Sequence, residues 1–194
     1  MRSKILFCLF SLPLIFILAC GGSQTLKTTA EDNCIPAWYT TIPQDPNYLF
    51  AVSTANSRDL GLATDKAVTS ARAEIGRQME VRIQSLQKRF DEEVGLAEDS
   101  ELRQMFTQAT KTVVSATLSG SRVREQKHCR QGQTWQAFVL VEYPIGAANQ
   151  ALLEQIKQNQ NMYTRFRASE TFKELEDEVK KFEEWKSRQA RQNQ

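Results

Sequence analysis

The chain has 194 residues, with 25 basic and 23 acidic side chains, one histidine and a formal net charge of +2. Only two basic residues, Arg2 and Lys4, precede Cys20, so residues 20–194 carry 23 basic and 23 acidic side chains and are close to neutral. This balance gives no electrostatic reason to expect a nucleic-acid partner. The length suits one domain with a sizeable core plus appendages.

The first part of the chain has the layout of a bacterial secretory signal. Two basic residues precede an uncharged apolar run, 5–18, which is followed by the small residue Ala19 and by Cys20. The run is too short, and wrongly flanked, for an ordinary transmembrane helix. Its end resembles a lipoprotein lipobox, with Ile17 where leucine is commonest. We predict a signal peptide over 1–19 and lipidation of Cys20; the alternatives are cleavage elsewhere or an uncleaved anchor.

Processing of this kind would leave two cysteines in the domain. Cys8 departs with the signal and Cys20 is acylated, so Cys34 and Cys129 remain in an exported, oxidising compartment. A disulfide between them closes a loop of about 95 residues, worth at most about 4–5 kcal/mol in the chain-entropy model. The alternative is two unpaired cysteines, one or both of them buried.

A flexible tether, a strand and a long helix are predicted next. Residues 20–35 are rich in small and polar residues, which predicts a flexible tether. Aromatic and β-branched residues predict a strand over Tyr48–Thr54. Residues 59–93 then follow a helical period, and Gly95 is a plausible stop. The apolar stripe of this helix consists of Ala63, Ala67, Ala71, Ile75, Met79 and Ile83.

A second helix and a hairpin follow. Asp99 or Ser100 is placed to cap the helix, which is predicted to end at Gly120. Strands are predicted over Ser121–Cys129 and Thr134–Tyr143, around a turn that contains Gly132. The second strand has apolar residues on both faces, which predicts a central position in the sheet.

From residue 147 onward the sequence has neither glycine nor proline and returns to a helical period. Thr171 and Glu174 have the spacing of a capping box. One long helix and two shorter helices are equally compatible with this pattern. It is also open whether the segment packs on the domain or binds a partner.

The order of elements predicts an α+β fold, with helices covering an antiparallel sheet and an added C-terminal helical segment. We place the α+β domain at residues 36–144 and the C-terminal helical segment at 145–194.

Four stretches together carry a family resemblance: Pro36-Ala37-Trp38, Leu49–Ser53, Ala67–Ile75 and Trp135–Pro144. In this order they resemble the Lpp-twenty lipoprotein family, which is related to the N-terminal domain of flagellar assembly protein T. The resemblance covers roughly residues 36–144. It implies a small α+β domain on an outer-membrane lipoprotein, with no enzymatic activity and no cofactor.

The resemblance and the signal together define the expected function. We expect a non-enzymatic outer-membrane lipoprotein with a structural or accessory binding role in the cell envelope, attached to the membrane through its lipid anchor. Gly21, rather than aspartate, follows the lipidated cysteine and favours the outer membrane by analogy with enteric sorting. The first alternative is an accessory factor for flagellar or cell-wall assembly that binds a periplasmic partner. The second is a cell-wall or lipid hydrolase, which needs paired acids in a cleft.

The first hairpin strand carries the candidate binding residues. Strict alternation puts four side chains on one side of it: Arg122, Arg124, His128 and Arg130. Such a row is suited to phosphate or carboxylate groups of lipid head groups or of the cell wall. The alternative is an edge strand whose charges prevent edge-to-edge aggregation.

His128 is the only histidine, so any histidine-dependent catalytic device would have to use it. No nucleophile-elbow pattern lies nearby, and His128, Cys129 and Cys34 supply too few ligands at metal-binding spacing. We therefore predict an exposed turn histidine, no catalytic residue and no metal site.

Overall fold

A three-stranded antiparallel sheet organises the computed structural model, which describes residues 34–192. The strands are β1 (Tyr48–Ser57), β2 (Arg122–Gln131) and β3 (Thr134–Pro144), in the spatial order β1-β3-β2. β3 is central, as its two apolar faces predicted, and its residues from 137 to 143 are buried. The α+β fold class is confirmed.

Within the described residues, six helices accompany the sheet: α1 (Ala37–Thr40), α2 (Leu60–Val94), α3 (Ser100–Gly120), α4 (Ile145–Gln158), α5 (Gln160–Phe166) and α6 (Glu170–Gln192). The long helix α2 lies along β1 and β3. Its predicted alanine stripe is completely buried there, because small side chains let a helix approach a sheet closely. α1 lies on the opposite face, where the rings of Tyr39 and Phe138 meet edge-on with centroids 5.0 Å apart.

The sequence predicted Gly95 as the stop of α2 and Asp99 as one candidate cap of α3, and the structure confirms both. Asp59 caps α2 by accepting a hydrogen bond from the Leu62 amide, and Asp99 caps α3 in the same way. Gly95 ends α2 with a φ of 66°, a left-handed conformation in which other residues are strained.

The C-terminal segment forms three helices rather than one or two. Asn159 starts α5 by accepting a hydrogen bond from the Met162 amide, and the Ser169 hydroxyl accepts one from the Phe172 amide at the start of α6. The three helices bury apolar side chains in the same core as α2, α3 and the sheet: Ala148, Leu152, Ile156, Phe166, Phe172, Leu175 and Val179. The segment therefore packs on the domain, and the described residues belong to one compact unit.

Helices α2 and α6 are antiparallel, and three polar contacts join them: Arg82 with Glu178, Arg89 with Glu174, and Glu93 with Thr171. The Glu93 carboxylate accepts hydrogen bonds from both the hydroxyl and the amide of Thr171. The hydroxyl contact is the main reason why the pKa of Glu93 lies below its usual value. The predicted capping box of Thr171 with Glu174 is therefore wrong, because both side chains bind α2 instead.

Candidate binding groove at one end of the sheet

The predicted lipidation site, Cys20, lies outside the described residues. The two cysteines within the described residues, Cys34 and Cys129, form a disulfide, with Cα atoms 6.1 Å apart, within the usual range for such bonds. This bond ties the start of the described domain to β2, close to the hairpin turn at Gly132.

The sequence predicted that four side chains of β2 share one side: Arg122, Arg124, His128 and Arg130. This prediction is wrong. The register of β2 against β3 shifts between Val123 and Glu125, and one extra residue in a strand reverses the alternation beyond it. The first two side chains lie on the face of the sheet that carries Glu142, and the last two lie on the face that carries α2.

Glu142 explains the position of the first two arginines. Its side chain is 9% exposed and accepts hydrogen bonds from Arg122 Nε at 2.9 Å and Arg124 Nη1 at 3.1 Å. The Arg124 guanidinium also lies 5.4 Å from the ring centre of Phe50. A buried carboxylate is costly unless it is paired, so these arginines have a structural partner. Anion binding at this cluster stays a prediction, with one net positive charge to support it.

His128 belongs to the interface between the hairpin and α2. Its Nε2 atom is 3.0 Å from the Thr64 hydroxyl oxygen, so the ring is half-buried rather than exposed in a turn. Arg130 lies over the Trp135 ring, 5.6 Å from its centre. Among residues 34–192, no group of three potential metal-binding side chains comes together.

An aromatic wall, made of Phe182 and Trp185, lies at the opposite end of the sheet. The two rings stack with centroids 5.7 Å apart, and Tyr48 at the start of β1 contacts Trp185 edge-on at 6.1 Å. Phe182 packs directly onto Gly146. A Cβ atom at residue 146 would lie 2.2 Å from Phe182 Cγ, so only glycine admits the ring in this position.

A groove runs along each side of the aromatic wall. The first groove encloses about 400 Å³, and its polar lining includes Asn47, Arg82, Asn149, Glu178, Lys181 and Arg188. The second groove encloses about 640 Å³, and its polar lining includes Tyr48, Arg122, Gln150, Lys186 and Gln189. Both grooves share the aromatic wall as a side.

Positive charge dominates the lining of the two grooves. Five cationic side chains line them, of which Arg122 is paired with Glu142 and Arg82 with Glu178. The other three are Lys181, Lys186 and Arg188 of α6. Glu178 accepts hydrogen bonds from Asn149 Nδ2 at 2.6 Å and from Arg82 Nη2 at 3.4 Å. The Nε atom of Arg82 is buried and has no hydrogen-bond partner within the described part of the chain. The region therefore combines a cationic lining with an apolar centre.

Sequence reasoning missed the two grooves. Their lining residues come from segments as distant as Asn47, Arg82, Arg122 and Arg188, and no short motif joins them. The one local signal was the pair Phe182 and Trp185, which are three residues apart and thus neighbours on one helix face.

No family model matches this chain, and no curated protein and no solved structure matches it. Over residues 34–192, none of the helices combines the length and the apolar character that crossing a membrane requires.

Proposed function

We propose that this protein is a lipid-anchored protein of the outer membrane with a non-enzymatic, accessory binding role in the cell envelope. The observation that carries the proposal is the run Ile17-Leu18-Ala19-Cys20 at the end of a basic and apolar leader. The Cys34–Cys129 disulfide supports export, because such bonds persist in oxidising compartments. The resemblance of residues 36–144 to the Lpp-twenty family supports the same class of function.

The point of attachment suits a binding protein. The tether joins the domain at Cys34, which is bonded to Cys129 opposite Gln136, and Gln136 pairs with Asn56 of β1. The aromatic wall is next to Tyr48, eight residues earlier on the same strand, a separation of about 26 Å along the sheet. The disulfide at the start of the described domain and the two grooves are therefore at opposite ends of the sheet, so a partner in the grooves does not meet this disulfide.

Replacement of the lipidated cysteine tests the anchor. In cells fed labelled palmitate, we expect wild type to incorporate the label and Cys20→Ser to incorporate none, because only the Cys20 thiol can take the thioether-linked lipid. The variant is expected to leave the outer-membrane fraction or to accumulate as precursor. Cys8→Ser, in the apolar run of the signal, is the matched control and should label like wild type. Equal labelling of Cys20→Ser and wild type would contradict the proposal.

A further inference from the structure

We propose that the first and second grooves, with the aromatic wall between them, form one binding site for an extended acidic peptide segment of an envelope protein. The site is inferred from the folded domain, and its assignment to an envelope partner rests on the proposed function.

Charge complementarity is the first reason. Lys181 and Arg188 line the first groove and Lys186 lines the second, next to Arg82, which is paired with Glu178, and Arg122, which is paired with Glu142. The lining therefore keeps a net positive charge after both pairs are counted. Because the chain from residue 20 onward carries equal numbers of basic and acidic side chains, this concentration of positive charge is a local feature. Such a surface attracts acidic partners and speeds their association at low salt.

Arg82 is the second reason. Its guanidinium has five N–H donors, and its one described acceptor is Glu178 at a long 3.4 Å. The side chain is 38% exposed, so part of the guanidinium is open to the groove while Nε is shielded. A buried donor without a partner costs stability, and each such group in a folded protein calls for an explanation. A carboxylate in the first groove can take two parallel hydrogen bonds from a guanidinium, a geometry for which arginine is well suited.

The shape of the site favours a peptide over a single small anion. Lys181 and Arg188 line only the first groove and Lys186 lines only the second, while Phe182 and Trp185 are shared, so the site is elongated rather than centred on one point. An extended segment can place carboxylates in both grooves and an apolar side chain on the aromatic wall. Amide side chains such as Gln189 line the second groove and are suited to hydrogen bonds with a peptide backbone.

The test measures binding of two matched peptides to the full chain purified in detergent. The first peptide has four glutamates around a central phenylalanine, with acetyl and amide ends, and the second has glutamines in place of the glutamates. We expect saturable binding of the acidic peptide at low salt, and binding of the glutamine peptide about tenfold weaker or worse. The absence of saturable acidic-peptide binding, or equal binding of the two peptides, would overturn the proposal.

Two double variants of α6 locate the site. Lys181→Gln with Arg188→Gln removes two exposed cations of the first groove and should weaken acidic-peptide binding about tenfold. Lys180→Gln with Arg191→Gln makes the same charge change at exposed positions outside both grooves and should leave binding within about twofold of wild type. Equal weakening by both pairs would show general electrostatic attraction and overturn the site. Exposed positions are used so that folding is preserved, and melting curves check this.

The same purified protein is used to test two alternative ligands. Inorganic phosphate and phosphatidylglycerol vesicles are tested against wild type and against the groove variant. Binding of vesicles or phosphate that depends on Lys181 and Arg188 and excludes the acidic peptide would replace the proposal with a phosphate site. Because none of these measurements requires the acyl chains, a failure of peptide binding is distinguishable from a failure of the palmitate experiment.

Discussion

Phe166→Ala tests whether the C-terminal helices are part of the domain core. Phe166 in α5 is completely buried. Its ring stacks on Phe90 of α2 with centroids 4.4 Å apart and meets Phe106 of α3 edge-on at 6.0 Å. The side chain thus joins three helices that are distant in sequence, and its removal leaves a cavity among them.

The expected loss is large for a single substitution. Truncation of a buried phenylalanine to alanine costs about 3–5 kcal/mol, because the transfer free energy of the ring is lost and a cavity remains. The two aromatic contacts contribute to this cost, at about 0.5–1.5 kcal/mol for each pair. For a chain of this size, 1 kcal/mol lowers the melting temperature by about 2–4 °C, so we expect a decrease of about 6–20 °C.

Thermal melts followed by far-ultraviolet circular dichroism, on the full chain at constant detergent, measure this decrease. Arg165→Ala, one residue earlier on the exposed side of α5, is the control and should change the free energy of unfolding by no more than about 0.5 kcal/mol. A decrease below about 2 °C for Phe166→Ala would refute the conclusion that α5 closes the core. An unchanged melting temperature with lost association would instead assign the segment to a partner.

Two further predictions concern the covalent and the polar links of the domain. Purified exported protein should show no titratable thiol at Cys34 or Cys129 in denaturant without reductant. Its mass should be lower by two hydrogen atoms than the mass after reduction. Two titratable thiols would contradict the disulfide. The pKa of Glu93 is lowered in the folded state, so its stabilising contact with Thr171 is present above the ordinary glutamate value of 4.5 and is lost as the pH falls through the folded pKa. Glu93→Ala should therefore lower the melting temperature at pH 7 by about 2–4 °C, which corresponds to about 1 kcal/mol for a lost helix cap. The difference in melting temperature from wild type should shrink in acid. An equal difference at both pH values would contradict the role of the carboxylate.

The helix ends and the strand order were predictable because their causes are local. Asp59 and Asp99 cap helices through amides two or three residues away, and Gly95 takes a left-handed conformation that the helix end requires. The central position of β3 followed from its two apolar faces, because a strand with neighbours on both edges and layers on both faces has little polar surface.

The division of the C-terminal segment was less predictable from the same kind of signal. Asn159 and Ser169 break it into three helices, yet both residue types also occur inside helices. Thr171 and Glu174 had the spacing of a capping box, but Glu93 and Arg89 of α2 bind them instead. The spacing of Thr171 and Glu174 was compatible with a capping box and also with contacts to another helix, and the packing of α6 on α2 produced the contacts.

The sequence by itself determined the three strands, α2, α3 and the fold class, since periodicity and caps depend on residues within a few positions of each other. The lipobox is equally local, and the anchor that it indicates stays a prediction. The bulge between Val123 and Glu125 was decided by the pairing of β2 with β3, and it divided a row of charges that strict alternation would have kept together. The two grooves beside Phe182 and Trp185 were also decided by tertiary structure. Their cations come from α2, β2 and α6, and only the packing of these elements around a common core brings them to one end of the sheet.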